Sequence, residues 1–257
     1  MTARLLLLLA LSLLCGAAMP PADLDRRAGF DQHLGAQLPL QVALRDGGDV
    51  MATLQARAHG RPMAIALGYL DCTHLCDTVM QSLAHALAHA GLQPGRDLEV
   101  LFLSIDPREG ADAATRAAQH LTRIEPAALP ARWQYLRAAP DALREITQPL
   151  GFRYFRDERL NEYVHPAGVV VVTPQGKVSR YLFGVEYQPH TLRLAVVEAS
   201  RGAVGSLTDR LVLLCCGYDP TTGRYTLLIG KVMQLLGVTF AAALFTAAAW
   251  HAWRRRA

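Results

Sequence analysis

Residues 63–70 read MAIALGYL and lead directly into Asp71-Cys72-Thr73-His74-Leu75-Cys76-Asp77. The apolar run opens after Arg61-Pro62 and has the length of a strand buried on both faces. Beyond the cysteines, Val79, Leu83, Leu87 and Leu92 recur at helical spacing. A buried strand, a loop with two thiols and an amphipathic helix therefore follow one another without a gap. Working outward, Leu98 to Ile105 is a second buried strand ending at Asp106-Pro107, and Asp112 to Leu121 reads as a helix. Trp133 to Leu136 is a short strand and Asp141 to Leu150 a further helix. Gly168 to Thr173 is a third strong strand, turned by Pro174-Gln175-Gly176 into Val178 to Phe183, and Pro189 to Ala199 is the last amphipathic helix. Upstream, Pro39 to Leu44 alternates and ends at the turn signal Asp46-Gly47-Gly48. Alternation of strand and helix requires parallel pairing with right-handed crossovers, and the closing hairpin adds antiparallel strands. The expected fold class is α/β: a thioredoxin-like mixed sheet flanked by helices, plus one C-terminal transmembrane helix.

In an open sheet of this kind chemistry collects at the carboxyl ends of the strands. Cys72 lies at one such end and Asp106 at another. If Cys76 falls in the first turn of the helix, both thiols can face one spot, and the helix N-terminus favours thiolate. Thiolate attacks disulfides and also binds soft metals. Two thiolates with one imidazole suit Cu(I), whereas zinc would want a fourth ligand or a water. An exported protein can equally hold a structural disulfide at this spacing, so the pair alone leaves metal, redox and structural readings open. His165-Pro166 stands immediately before the strand at Gly168, and in a thioredoxin-like layout that loop faces the cysteine loop.

The two ends of the chain carry a second message. Arg4, the apolar stretch Leu5 to Leu14 and Cys15-Gly16-Ala17-Ala18 have the form of an export signal over residues 1–18, too short to span a bilayer. Residues 227–250 would cover about 36 Å as a helix, enough to cross a membrane. Trp250 and Trp253 fit an interfacial belt, and Arg254, Arg255 and Arg256 are expected on the cytoplasmic side. The expected division is a signal at 1–18, a thioredoxin-like domain at 19–208, a linker at 209–226, a membrane helix at 227–250 and a cytoplasmic tail at 251–257. That arrangement puts a single-pass protein in a bacterial cytoplasmic (inner) membrane, with its body facing the periplasm. The chain of 257 residues is 51% hydrophobic and 19% charged, which argues against disorder. Its net charge of +4 comes largely from the tail and forms no basic stripe with aromatics, so no nucleic-acid partner is expected.

Several segments together resemble the Sco/SenC family of thioredoxin-like copper chaperones for cytochrome c oxidase assembly, in its bacterial branch with a C-terminal membrane anchor. They are Tyr69 through Cys76; Ser104-Ile105-Asp106-Pro107-Arg108-Glu109; His165; and Thr173 through Tyr181. The match continues through Glu198-Ala199-Ser200, Gly205-Ser206 and Asp209-Arg210, then Cys215 through Pro220 and Gly223-Arg224-Tyr225. The resemblance implies that Cys72, Cys76 and His165 are copper ligands. It implies as client the CuA-bearing subunit of a terminal cytochrome oxidase, with periplasmic copper donors upstream. Thr73 and Asp77 stand where many members of the family carry proline, so this loop is less restricted. The runner-up from a different class is an enzyme: a membrane-anchored thiol-disulfide oxidoreductase with Cys72 and Cys76 as its catalytic redox pair, reducing oxidase-subunit cysteines. His165 separates the two, because dithiol exchange needs only the sulfurs.

Other candidates have plainer readings. His85 and His89 are four apart on the predicted helix, but Ala86 stands where a metalloprotease pattern needs Glu, and Leu83 and Leu87 carry the core stripe. Both histidines are therefore expected to face solvent. His74 lies between the cysteines. Asp106 is placed either to attract a cation or to cap the following loop. Cys215 and Cys216 are adjacent and are expected to be packing residues, since neighbouring cysteines rarely bridge each other.

Overall fold

The computed structural model describes residues 27–70 and 75–204, with short pieces at 216–219, 224–227, 237 and 239–240; for residues 75, 76, 216–219 and 224–227 it is the backbone alone that is described. In chain order the elements begin with β1 (Gly29–Phe30), β2 (Ala43–Arg45), β3 (Met51–Thr53), α1 (Leu54–Ala58), β4 (Met63–Gly68), α2 (Leu75–Ala90) and β5 (Glu99–Ser104). Next come α3 (Ala111–Ile124), β6 (Gln134–Leu136), α4 (Pro140–Thr147), β7 (Phe152–Arg153), β8 (Phe155–Asp157) and β9 (Glu162–Val164). The body closes with β10 (Gly168–Val172), β11 (Val178–Phe183) and α5 (Pro189–Ser200), and β12 (Cys216–Asp219) and β13 (Arg224–Leu227) follow.

Five strands make the central sheet in the order β11-β10-β4-β5-β6. The β4–β5 and β5–β6 pairs are parallel, while β10 runs antiparallel to both β4 and β11. This is the mixed thioredoxin-like sheet expected from the order of elements. β4, β5 and β10 are buried along their whole length; β4 and β10 are continuous apolar runs, and β5 is apolar from Val100 to Leu103 between the buried polar ends Glu99 and Ser104.

The strand period of two distributes those runs between two cores. On one face, Ala64 and Ala66 of β4 with Val100 and Phe102 of β5 meet Leu83 and Leu87 of α2, Leu121 of α3 and Leu192 of α5. On the other, Met63, Ile65 and Leu67 with Leu101 and Leu103 meet Leu54 of α1 and Leu143 and Ile146 of α4. The alanines of β4 leave room for α2 to lie close against the sheet. α2 ends where Gly91 takes φ +66, with Leu92 N–H bonding the Leu87 carbonyl. α4 stops at Thr147, three residues before the predicted Leu150, and the chain turns at Gly151 with φ +60. A Cβ there would lie 1.8 Å from the Asp31 carbonyl oxygen, so only glycine fits where β1 and β7 pair.

The predicted signal at 1–18, the cysteine loop at 71–74 and most of the predicted span 227–250 with its tail lie outside the described residues. Among the described residues no helix is long and apolar enough to cross a membrane. Within the stretch read as a linker, 209–226, lie β12 and most of β13, paired antiparallel from Cys216↔Leu227 to Asp219↔Arg224.

Candidate metal and thiol site

The site is assembled at the carboxyl ends of β4 and β5. β4 ends at Gly68 and hands over to Tyr69 and Leu70; the chain is next described at Leu75, where α2 begins. Cys76 is therefore the second residue of α2, in its first turn, and the helix dipole acts on that position. Cys72 and His74 lie outside the described residues. Asp77 in the same first turn is held from two sides: Gln81 donates to it at 2.6 Å, and His120 of α3 sits 3.1 Å away.

His165 reaches this end through strand register. β10 is antiparallel to β4, with Val169 opposite Ala66, so the residues just before Gly168 lie beside the end of β4. The ring of Tyr69 meets His165 edge-on at 5.9 Å between centroids, and Phe152 packs against His165 at 6.2 Å. Nδ1 of His165 is 3.0 Å from the Pro166 carbonyl oxygen. A carbonyl can only accept, so this contact requires the Nδ1–H tautomer and puts the ring's lone pair on Nε2. A histidine ligand is commonly oriented in this way by its second nitrogen. The structure thus brings His165 to the strand end from which the cysteine loop departs, and places Cys76 on the helix that follows.

Sequence reasoning missed most of the wall around His165. Tyr163 lies 6.0 Å from Tyr69 and 6.1 Å from Tyr154, and Tyr154 stacks towards Phe152 at 5.6 Å. Phe152 comes from β7, Tyr154 from the residue joining β7 to β8, and Tyr163 from β9 of the β8–β9 hairpin, which is paired from Phe155↔Val164 to Asp157↔Glu162. The hairpin strands are three residues each and only partly apolar, too short for periodicity to register. Burial raises the Tyr163 hydroxyl above its ordinary pKa, the Asp106 charge adds to this, and the Arg108 guanidinium, which lies over the Tyr163 ring, acts against it.

Asp106 takes the capping role. Its carboxylate accepts the Arg108 N–H at 2.9 Å and the Arg108 guanidinium at 2.6–3.1 Å, and the residue is 7% exposed. Burial alone would lift its pKa. The Arg108 side chain, the Arg108 N–H and the charges of Arg108 and Arg156 outweigh burial and hold it below the usual carboxylate range. Ser104 donates to Glu109 at 2.5 Å, so Ser104, Asp106, Arg108 and Glu109 form a self-satisfied turn at the end of β5. His85 and His89 face solvent as expected.

The fold is thus a thioredoxin-like sheet with a cysteine in the first turn of the helix after its central strand and a histidine on the loop beside that strand's end. The SCO1/SenC family model matches residues 46–199, well over half of the chain, and the chain belongs to that family. No curated protein matches in sequence. Among solved structures, an Aquifex aeolicus VF5 protein of proposed electron-transfer role is 24% identical, with a TM-score of 0.58 over 66% of this chain and 95% of that one. Copper-bound ScoI of Arabidopsis thaliana is 17% identical, TM-score 0.51, over 65% of this chain and 98% of that one. BsSco, described as a Sco-family cytochrome c oxidase assembly protein with a disulfide switch, is 16% identical, TM-score 0.50, over 66% and 99%. At these identities the likeness is one of fold.

Proposed function

We propose that the chain binds copper as cargo through Cys72, Cys76 and His165 and delivers it to the CuA centre of a terminal cytochrome oxidase. The observation that carries this reading is the placement of His165 at the end of β4, with Nδ1 turned to a carbonyl and the lone pair left on Nε2. Two soft sulfurs and one imidazole nitrogen are a donor set suited to Cu(I). Family membership supports the reading, as do the copper bound in the Arabidopsis structure and the oxidase-assembly role given to BsSco.

Loading is coupled to thiol redox. When the pair exchanges with a partner disulfide, an S–S bond forms between Cys72 and Cys76, the partner's S–S bond is reduced to two thiols, and two protons and two electrons pass to the partner. The oxidised pair has no thiolate to offer, and copper leaves. The position of Cys76 at a helix N-terminus also supports the second reading, a thiol-disulfide oxidoreductase acting on the same oxidase subunit. The two separate in a strain lacking this gene. Complementation by the parent chain restores the CuA signal of the oxidase; the His165→Ala chain, which keeps both sulfurs, is expected not to. Full restoration by His165→Ala would remove copper delivery and leave the oxidoreductase.

The body is proposed to face the periplasm of a bacterium, tethered to the cytoplasmic membrane by residues 227–250. The apolar ends and the Arg254–Arg256 cluster of the sequence support this. Compartment-specific reporters fused after Ser206 and after Ala257 should report opposite sides; a cytoplasmic signal at Ser206 would refute export.

A further inference from the structure

The i, i+4 histidine pair on α2 is a candidate site of different chemistry from the cysteines. His85 and His89 project from the exposed face of the helix, one turn apart, with ring centroids separated by 3.9 Å. Glu125 reaches the same spot from the end of α3, its Oε2 lying 3.7 Å from Nδ1 of His85. One donor atom from each of the three lies within 4.8 Å of the others. Donors bound to a single ion at about 2.0–2.2 Å stand roughly 3–4.4 Å apart, so modest side-chain rotations bring the three onto one centre.

Two features pre-arrange the group. Nδ1 of His89 is 2.9 Å from the carbonyl oxygen of His85, which fixes the Nδ1–H tautomer and leaves the lone pair on Nε2. Glu125 is the C-cap residue of α3, its N–H bonded to the Leu121 carbonyl at 2.8 Å, and Pro126 after it ends the helix at that residue. The carboxylate is thereby set against α2 rather than carried on into solvent. Beneath the pair, Leu83, Ala86 and Leu87 are buried and hold the helix face in place.

We propose that His85, His89 and Glu125 form a binding site for a divalent transition-metal ion. Two imidazoles and a carboxylate are borderline and hard donors, suited to Cu(II) and Zn(II) and poorly matched to Cu(I); the order of affinities puts Cu(II) first. The site lies nine residues along α2 from Cys76, about 13 Å by helical rise. It uses none of the residues assigned to the thiol site and stands or falls separately from the function proposed above.

The probe is Cu(II) itself, titrated into the full-length chain with its five cysteines replaced by serine, so that no thiol reduces the ion. Zn(II) serves as the redox-inert companion. Should the serine chain fail to fold, the parent chain with its thiols alkylated takes its place. One equivalent of Cu(II) is expected, with hyperfine coupling to two nitrogens in its electron paramagnetic resonance spectrum. His85→Ala and His89→Ala should each weaken binding at least about tenfold and lose one nitrogen coupling. Glu125→Gln should weaken it less and keep both couplings, and His190→Ala, an exposed histidine on another helix, should change nothing. Binding by His85→Ala and His89→Ala equal to that of the parent, or a parent spectrum without two-nitrogen coupling, would overturn the site and leave His85–Glu125 as a plain surface ion pair.

Discussion

Under the two assignments proposed above, the two ends of α2 repeat one design with different atoms. At its N-terminus a pair of residues four apart in the sequence, Cys72 and Cys76, would be joined by one residue from far along the chain, His165. Towards its C-terminus another pair four apart, His85 and His89, is joined by Glu125 from α3. The surroundings differ as much as the donors. His165 sits at the strand ends against Tyr69 and Phe152, with Tyr163 packed on Tyr69, whereas His85 and His89 lie on an open helix face. Sulfur donors select a monovalent soft ion and make binding depend on thiol redox; nitrogen and oxygen donors select a divalent ion and do not. Spacing alone therefore says only that two side chains can meet. The identity of the atoms and the third residue decide what they meet around.

The strongest way to strain the comparison is to loosen the helix that carries both ends. Leu87 is 0% exposed and sits between His85 and His89 on the opposite face. Leu87→Ala should cost about 2–5 kcal/mol in denaturant unfolding, while copper binding at either end, measured well below the unfolding midpoint, stays near that of the parent. Loss of both affinities without loss of stability would mean that the two ends are not independent of the core beneath them.

A smaller effect separates the sulfurs from the imidazole. Cys72→Ser or Cys76→Ser should weaken Cu(I) binding by more than about 100-fold, beyond what loss of an outer partner costs a metal site. His165→Ala should weaken it by about tenfold, because two thiolates can still hold Cu(I), and should leave the titratable dithiol intact. Equal losses for all three would indicate that His165 positions the loop rather than binds the ion.

The least effect is expected at the turn beside the site. Asp106→Ala removes the cap on the Arg108 N–H and should cost about 1 kcal/mol at neutral pH. The folded pKa of Asp106 lies below the ordinary carboxylate value of 3.8, so its contribution is present above that value and fades as the pH falls below it. Parent and variant should accordingly converge in stability at strongly acid pH. A gap that persists there would assign the loss to packing rather than to the charge of Asp106.

What the sequence discloses about this molecule follows the length of its signals. β4, β10 and the centre of β5 are apolar runs, and the stripe Val79, Leu83, Leu87 fixes the buried face of α2, so the sheet and its main helix are legible without coordinates. Val178–Phe183 is a strand over the residues its pattern predicts. The short elements α1, β1 and β7 to β9 are not legible, because two to five residues cannot display a period. Legibility of the site divides in the same way. Cys76 and His165 announce themselves by residue type and by the strands that flank them. Tyr69, Tyr163 and Phe152 become a wall around His165 only through pairing across the fold, and Glu125 joins His85 only because Pro126 ends α3 beside α2.

The central claim is that copper loading at the N-terminal end of α2 depends on the redox state of the Cys72–Cys76 pair and on His165. The most direct measurement is an anaerobic titration of Cu(I) against a competing chelator, run on the full-length chain fully reduced and fully oxidised. Expected is one tightly held Cu(I) per reduced chain and none held against the chelator by the oxidised chain. Equal binding by both forms would contradict the claim and mark Cys72 and Cys76 as a structural bridge.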